Sequence, residues 1–244
     1  MFSEKFLSRL KNAYSVVALS GSRISEESAI PLIKGKNELW KNYKVEEIAS
    51  IDTYHKNAKL FWDFYKSQIQ SLENIEPNLG HYALVDMERI FKDFILITQN
   101  IDDLHRKAGN KKIIELYGNI YKLKCSNCGE SISIEAKNLN QLFQCKKCSG
   151  NLRPAIILFG ENVESRLIAK AQEVSSGSDV FIAVGTSGLY EPSVSLAYLA
   201  KANGSFLIEI NSEETSLTQH VDEYLYGNPS KLLPQLVMLI EKIK

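Results

Sequence analysis

Five short runs of the 244-residue chain, "SVVALS" (15–20), "FILIT" (94–98), "AIILF" (155–159), "DVFIAVG" (179–185) and "SFLIEI" (205–210), are almost continuously apolar. A strand with one solvated face alternates polar and apolar side chains. Unbroken runs therefore read as strands covered on both faces, as in a parallel sheet flanked by helices. The intervening segments carry the helical pattern that such a sheet needs. "YHKNAKLFWDFYKSQIQSL" (54–72) repeats apolar residues every three or four positions, "GHYALVDMERIF" (80–91) follows the punctuation at Pro77 and Gly80, and "ESRLIAKAQEVS" and "PSVSLAYLAKA" precede later strands. The alternation predicts an α/β fold with a doubly wound, Rossmann-like parallel sheet that binds ligands at the carboxyl ends of its strands.

Chemistry should then concentrate in the polar loops that follow the strands: "SGSRISEESAIP" (20–31), "QNIDDLH" (99–105), "GTSGLYEP" (185–192) and "NSEET" (211–215). In a parallel sheet these loops meet at one edge. That is the geometry of a dinucleotide crevice, with backbone amides for pyrophosphate and side-chain amides and carboxylates for ribose. Taken singly, each loop reads equally well as an ordinary turn.

All four cysteines lie in "CSNC" and "CKKC", as Cys125, Cys128, Cys145 and Cys148, with 16 residues between the pairs. Two such knuckles can set four thiolates at the corners of a tetrahedron, which suits Zn2+. Two disulfides would be disfavoured in a reducing compartment, and a redox CxxC would need one pair only. With four protein ligands no corner is left for water, so the expected metal is structural. It would hold residues of about 121–153 as a small ribbon too poor in apolar residues to fold alone. The ribbon interrupts the βα alternation. Together with residues 32–75 it supplies a smaller lobe, the larger being about 1–31, 76–120 and 154–244, all within one domain.

The 29 basic and 29 acidic residues cancel, so no overall field recruits nucleic acid or an anionic membrane. "MFSEKFLSRLKNAY" is amphipathic and lacks the apolar core of a signal peptide, and no run reaches the length of a membrane span. The expectation is a cytoplasmic protein.

Taken in order, "SGSRISEESAIP", "PNLGHYAL", "TQNIDDLHRKAG", "ELYGN", the two CxxC pairs, "LRPAIILFGE", "VGTSGLYEP" and "EINSEET" resemble the sirtuins, NAD-dependent protein lysine deacylases. The likeness spans nearly the whole chain and is nearest in pattern to bacterial desuccinylase-like members. It implies NAD at the strand ends and an acylated lysine peptide between the lobes, added as a strand. It also implies transfer of the acyl group from lysine to ADP-ribose with release of nicotinamide. By resemblance, Gln99, Asn100, Ile101 and Asp102 hold the nicotinamide ribose and carboxamide, with Asn100 and Asp102 in the catalytic set, and Ser28 helps line that pocket. Gly185, Thr186, Ser187, Asn211, Ser212 and Glu213 match the adenosine-side loops, and Phe159, Gly160 and Glu161 the substrate strand.

The departures cluster where bonds are made. The family's Gly-Ala-Gly is here Gly21, Ser22 and Arg23, so a glycine that admits a phosphate has become a cation that either crowds the phosphates or donates to them. Its Phe-Arg pair is Ile33 and Lys34, which loses the guanidinium fork. The Tyr-x-x-Arg pair that holds an acidic acyl chain appears as Tyr65 and Gln68. Tyr117 occupies the position of the family's histidine general base. A phenol ordinarily titrates near 10 against about 6.5 for imidazole, so Tyr117 reads either as a poor base or as an aromatic packed over the crevice. Both readings imply weak deacylation, or a sirtuin fold that binds NAD, ADP-ribose or acyl-peptide with little turnover. Among the histidines, His105 reads as a structural hydrogen-bonding residue, His81 as packing or capping, and His55 and His220 as surface residues.

Overall fold

Strand β1 (Ser15–Ser20) is completely buried from its second to its fifth residue and forms the middle of the molecule. In the computed structural model, which describes residues 2–29, 39–134, 144–189 and 191–244, it is flanked on both sides. The remaining strands are β2 (Leu39–Trp40), β3 (Tyr43–Lys44), β4 (Asp93–Thr98), β5 (Ile113–Glu115), β6 (Gly118–Cys125), β7 (Ser131–Ser133), β8 (Leu152–Ile156), β9 (Val180–Val184), β10 (Phe206–Asn211) and β11 (Glu223–Tyr226). The helices are α1 (Glu4–Asn12), α2 (Val45–Ile48), α3 (Ile51–Lys56), α4 (Ala58–Leu72), α5 (Leu79–Ile90), α6 (Leu104–Ala108), α7 (Ser165–Ser176), α8 (Ser193–Ala202) and α9 (Pro229–Ile243).

Six strands form one parallel sheet in the order β11-β10-β9-β1-β4-β5. The chain builds outward from β1 through β4 to β5, then returns to build the other half from β9. The order therefore reverses between β1 and β9, the place where open α/β sheets bind their ligands. Successive side chains of a strand point to opposite faces, and both faces are covered. Val16, Ala18, Phe94, Leu96, Ile182 and Ile208 pack against Phe6 and Leu10 of α1, Leu84 and Met87 of α5, and Leu233, Leu236 and Ile240 of α9. Their neighbours Val17, Leu19, Ile97, Phe181, Ala183 and Leu207 pack against Ala171 of α7 and Leu196, Ala197 and Ala200 of α8.

A third cluster lies apart from these two. Val45 and Ile48 of α2 and Phe61, Phe64, Tyr65 and Ile69 of α4 share it with Leu123, Leu152 and Ile156 of an antiparallel sheet ordered β7-β6-β8. The run "AIILF" belongs here. Its first residues end β8, which pairs antiparallel with β6, so this run is no strand of the parallel sheet. The parallel sheet gains β5 and β11 instead, short strands with partly exposed residues that give no unbroken apolar run.

Two helix expectations also change in detail. The pattern over 54–72 is broken at Asn57, whose φ of −145° leaves the helix while its side chain accepts from the Leu60 amide at 3.2 Å and caps α4. The C-terminal α9, not singled out in the sequence, tolerates Pro229 in its first turn, where no amide is needed, and carries Pro234 further in. Among the described residues, no helix is long and apolar enough to cross a membrane.

Candidate functional site

The crevice is set by two backbones in contact. Gly21 follows β1 and Gly185 follows β9, and the Gly21 amide donates to the Val184 carbonyl at 2.9 Å while the Arg23 amide donates to the Gly185 carbonyl at 3.0 Å. A Cβ on Gly21 would lie 2.7 Å from both the Gly185 oxygen and the Thr186 Cα, and a Cβ on Gly185, at φ +58°, would lie 2.7 Å from the Ile24 nitrogen. These are main-chain atoms that cannot swing away, so both positions require glycine.

Arg23 does not share that constraint. It sits in a short 3-10 turn, Ser22–Ile24, and is absent from the positive-φ residues. Its side chain leaves the strand edge, donating Nη1 to the Thr186 carbonyl at 3.0 Å and Nη2 to Glu213 Oε2 at 2.5 Å. A guanidinium thus ties the loops after β1, β9 and β10 together. Asn211, fully buried at the end of β10, donates Nδ2 to the same Thr186 carbonyl at 2.7 Å, and its Oδ1 accepts from the Ser212 amide. Thr186 Oγ1 is buried beside them without a hydrogen-bond partner. Buried hydroxyls are nearly always paired. An unpaired one between two glycine-lined strand ends fits a polar ligand such as the ribose or phosphate of a dinucleotide.

The nicotinamide-side residues form a second network. Asn100 Nδ2 donates to the Gly21 carbonyl at 3.2 Å and to Ser25 Oγ at 3.1 Å, and the Ser25 hydroxyl donates to Asp102 Oδ2 at 2.8 Å. His81 Nε2 lies 3.4 Å from the same hydroxyl. His81 Nδ1 accepts the Asn78 amide in a capping box at the start of α5, which leaves Nε2 carrying the proton. Burial pushes the His81 ring down to about 4, so it is neutral. Burial raises the Asp102 carboxyl above its ordinary value, opposed by the Leu104 amide and Ser25. Ser25 is the hub of this network, and no pattern in the sequence singles it out beside Ser28. The Ser28 hydroxyl instead accepts from Asn78 Nδ2 at 3.0 Å. His105 is buried behind the network, its Nε2 2.8 Å from Ser20 Oγ and its ring 4.8 Å from that of His81.

From Gln99, Asn100, Ile101 and Asp102 an apolar cleft of about 260 Å3 runs between the two sheets to Phe64, Tyr65 and Gln68 on one wall and Ile156, Ile157 and Phe159 on the other. Among the described residues its lining has no Lys or Arg. Gly160 turns the chain at φ +90° beyond Phe159. Glu161 is occupied: its carboxylate receives both terminal nitrogens of Arg153 and the Leu158 amide. Ile33 and Lys34 lie outside the described residues.

Tyr117 precedes Gly118, which at φ +86° starts β6 so close to β8 that a Cβ would meet the Ala155 carbonyl. Its own carbonyl accepts the Ile157 amide at 2.9 Å, its ring is half-buried against the α7 and α8 side of the sheet, and its hydroxyl donates to the Glu191 carbonyl at 3.2 Å. The hydroxyl proton is thus directed at a carbonyl in the loop after β9.

At the far end of β6, the four cysteines are unpaired by disulfides. Their sulfurs all lie within 4.8 Å of one another, Cys125 to Cys148 at 3.5 Å and Cys128 to Cys145 at 3.7 Å. A tetrahedron with Zn–S bonds of about 2.3 Å has edges of about 3.8 Å, close to both of these separations, so the four thiols suit zinc. The two knuckles repeat one backbone form. Gly129 donates to the Cys125 carbonyl and Ser149 to the Cys145 carbonyl, and both residues have positive φ.

A parallel sheet with a crevice at its reversal point, joined to a four-thiolate ribbon by an apolar cleft, defines a dinucleotide-type protein with a second ligand channel. The Sir2 family profile matches residues 21–192. An NAD-dependent protein deacylase of Aquifex aeolicus (strain VF5) is 43% identical over 209 residues, 85% of this chain and 87% of that protein. One of Leptospira interrogans (serogroup Icterohaemorrhagiae serovar Lai, strain 56601) is 39% identical over 237 residues, 96% of each. The crystal structure of a Sir2 homolog–NAD complex superposes with a TM-score of 0.92 at 34% identity, covering all of this chain and 96% of that one. The chain belongs to the Sir2 family.

Proposed function

We propose that this Sir2 protein is an NAD-dependent protein lysine deacylase of low turnover, acting on acylated lysine peptides. The observation that carries the reading is the continuity of the site: the strand-end crevice, with its paired glycines and unpartnered Thr186 hydroxyl, opens through Asn100 and Asp102 into the cleft lined by Tyr65 and Phe159. When bound, NAD supplies the ribose carbon that gives up nicotinamide and takes the acyl oxygen. Gly21, Ser22, Gly185, Thr186, Ser187, Asn211, Ser212 and Glu213 would hold its adenosine and phosphate half, with Arg23 bracing those loops. Gln99, Asn100, Ile101 and Asp102 would hold the nicotinamide ribose, oriented by Ser25. The apolar lining excludes water and favours a neutral acyl group. Gln68 gives an acidic acyl chain no countercharge.

In this reading the chain is a single domain, with the lobes expected from the sequence closing on the peptide and the cysteines holding structural zinc. Thiols gathered for a metal suit a reducing compartment, which supports a cytoplasmic place. The Tyr117 hydroxyl, donating to Glu191, favours a second reading in which the protein binds NAD and acyl-peptide but hardly turns them over. A nicotinamide-release assay with an acetyl-lysine peptide, run beside calorimetry with NAD, separates the two. NAD-dependent release supports the deacylase, binding without release supports the second reading, and the absence of NAD binding would refute both.

A further inference from the structure

Arg153 is a guanidinium in β8 with only 5% of its side chain exposed, in a strand that begins beside the cysteine ribbon and ends at the cleft. Within the β6–β8 ladder Leu152 pairs with Cys125 and Arg153 with Lys124, while Ile156 pairs with Gly118 at the other end. Arg153 makes a two-pronged pair with Glu161 at 2.5 and 2.6 Å and donates to the Ile156 carbonyl at 2.8 Å. It lies over the ring of Tyr54, 5.8 Å from its centre, whose hydroxyl is 2.9 Å from Ser126 Oγ inside the first cysteine knuckle. Glu161 in turn accepts the Leu158 amide at 2.9 Å and closes the turn over residues 158–161. Phe159 in that turn exchanges backbone bonds with Ala49 and Ile51.

We infer that Arg153 and Glu161 form a clamp through which the cysteine ribbon positions the cleft wall at residues 157–159, making acyl-peptide affinity depend on the integrity of the ribbon. Two features carry the inference. A bidentate pair whose guanidinium is buried has one geometry, so it transmits position where an apolar contact would slide. Removing the Glu161 charge strands the Arg153 guanidinium in the interior, and removing the fork leaves the partly exposed Glu161 carboxylate with the Leu158 amide, so the turn cannot relax while keeping its bonds. Arg153 and Glu161 are positioning residues. Neither lines the cleft, and neither belongs to the strand-end crevice.

The inference rests on the deacylase reading for its ligand, and the test keeps the two apart. In full-length protein, Glu161→Gln and Arg153→Lys are compared with wild type for binding of a fluorescent acetyl-lysine peptide, for NAD binding, for zinc content and for amide exchange. The expected result is peptide affinity weaker by about tenfold (about 1.4 kcal/mol), NAD affinity within about twofold of wild type and one zinc per chain. Exchange should be faster over residues 157–161 but unchanged in β1 and β9. Removing zinc from wild type with a chelator should accelerate the same segment. Arg153→Lys keeps the charge and loses only the fork, so it reports on geometry if Glu161→Gln folds poorly. Unchanged exchange over 157–161 in a folded, zinc-loaded variant would overturn the clamp, as would equal losses of NAD and peptide affinity. A wild-type protein that binds no acyl-lysine peptide would refute the deacylase reading, whereas the exchange result still decides the clamp.

Discussion

Replacing Tyr117 by histidine should raise the rate of nicotinamide release and deacylation by up to about 300-fold at pH 7.5. The figure follows from ordinary side-chain chemistry. At that pH about 0.3% of phenols titrating near 10 are ionised, against about 90% of imidazoles titrating near 6.5 being neutral and able to accept a proton. The ratio falls inside the range of about 10²–10⁴ for a positioned general base and corresponds to about 3.4 kcal/mol of barrier. Tyr117 is placed by main-chain contacts, its carbonyl to the Ile157 amide and the obligatory glycine after it, so an imidazole would start from the same point. The substitution gives up the hydrogen bond from the hydroxyl to the Glu191 carbonyl at 3.2 Å. That costs about 0.5–1.5 kcal/mol, a melting shift of no more than a few degrees for a chain of this length. The assay is steady-state nicotinamide release with an acetyl-lysine peptide, repeated from pH 5.5 to 9. The variant's rate should climb through about 6.5 and level off. Robust wild-type turnover at neutral pH would refute the argument. A gain below about threefold would move the deficit from the base to the cofactor end, where Arg23→Gly in the Tyr117→His background is the next variant to measure.

Freshly purified protein should contain one zinc per chain by elemental analysis, and Cys145→Ser should lose the metal and expose the amides of β6 to β8 before those of β1; a stoichiometry well below one overturns the site. Millimolar NAD should raise the melting temperature by mass action, and Asp102→Asn should diminish the shift because Asp102 anchors Ser25 and the Leu104 amide. No shift in wild type that returns with Arg23→Gly would mean that the arginine brace closes the crevice. Stability should fall on acidification from about pH 6.5 towards 4. The unfolded chain takes up a proton on His81 near 6.5 while the buried ring resists until about 4, a difference of about 3 kcal/mol. His105, depressed by burial, adds to it, and Asp102, raised by burial, opposes it. A melting temperature flat between pH 7.5 and 5 would contradict this.

Local pattern exposed much of this architecture, and it failed for identifiable reasons. β1 and β9 read true because both faces of each are covered, so their hydrophobicity is unbroken. "AIILF" looks the same in sequence, but only Ile156 and Leu158 of it are buried and Phe159 is exposed, so an unbroken apolar run says neither how it is covered nor in which sheet it is paired. β5 and β11 lie at the sheet edges and have too few covered residues to stand out. In the site, the loops were legible through their polar residues after strands. The choice between Ser25 and Ser28 was not, because it depends on which hydroxyl the 3-10 turns direct at Asp102. Likewise Arg23 appeared to stand in place of a needed glycine. The close approach is made by Gly21 and Gly185, and the arginine's exit towards Glu213 could be found only once three loops far apart in sequence stood together.

The contact between Gly21 and Gly185 also bears on how this crevice could be re-engineered. Gly21 is required by the Gly185 oxygen and the Thr186 Cα, and Gly185 by the Ile24 nitrogen, by Arg23 and by its own φ of +58°, so a library that varies either one samples distorted strand ends rather than altered ligand preference. Ser22, which is exposed, offers the freedom instead, whereas Arg23 braces the loops after β1, β9 and β10 through Thr186 and Glu213 and belongs with the fixed positions. Diversity placed at Ser22, with both glycines and Arg23 frozen, would explore new phosphate and ribose chemistries without loosening the brace across the three loops.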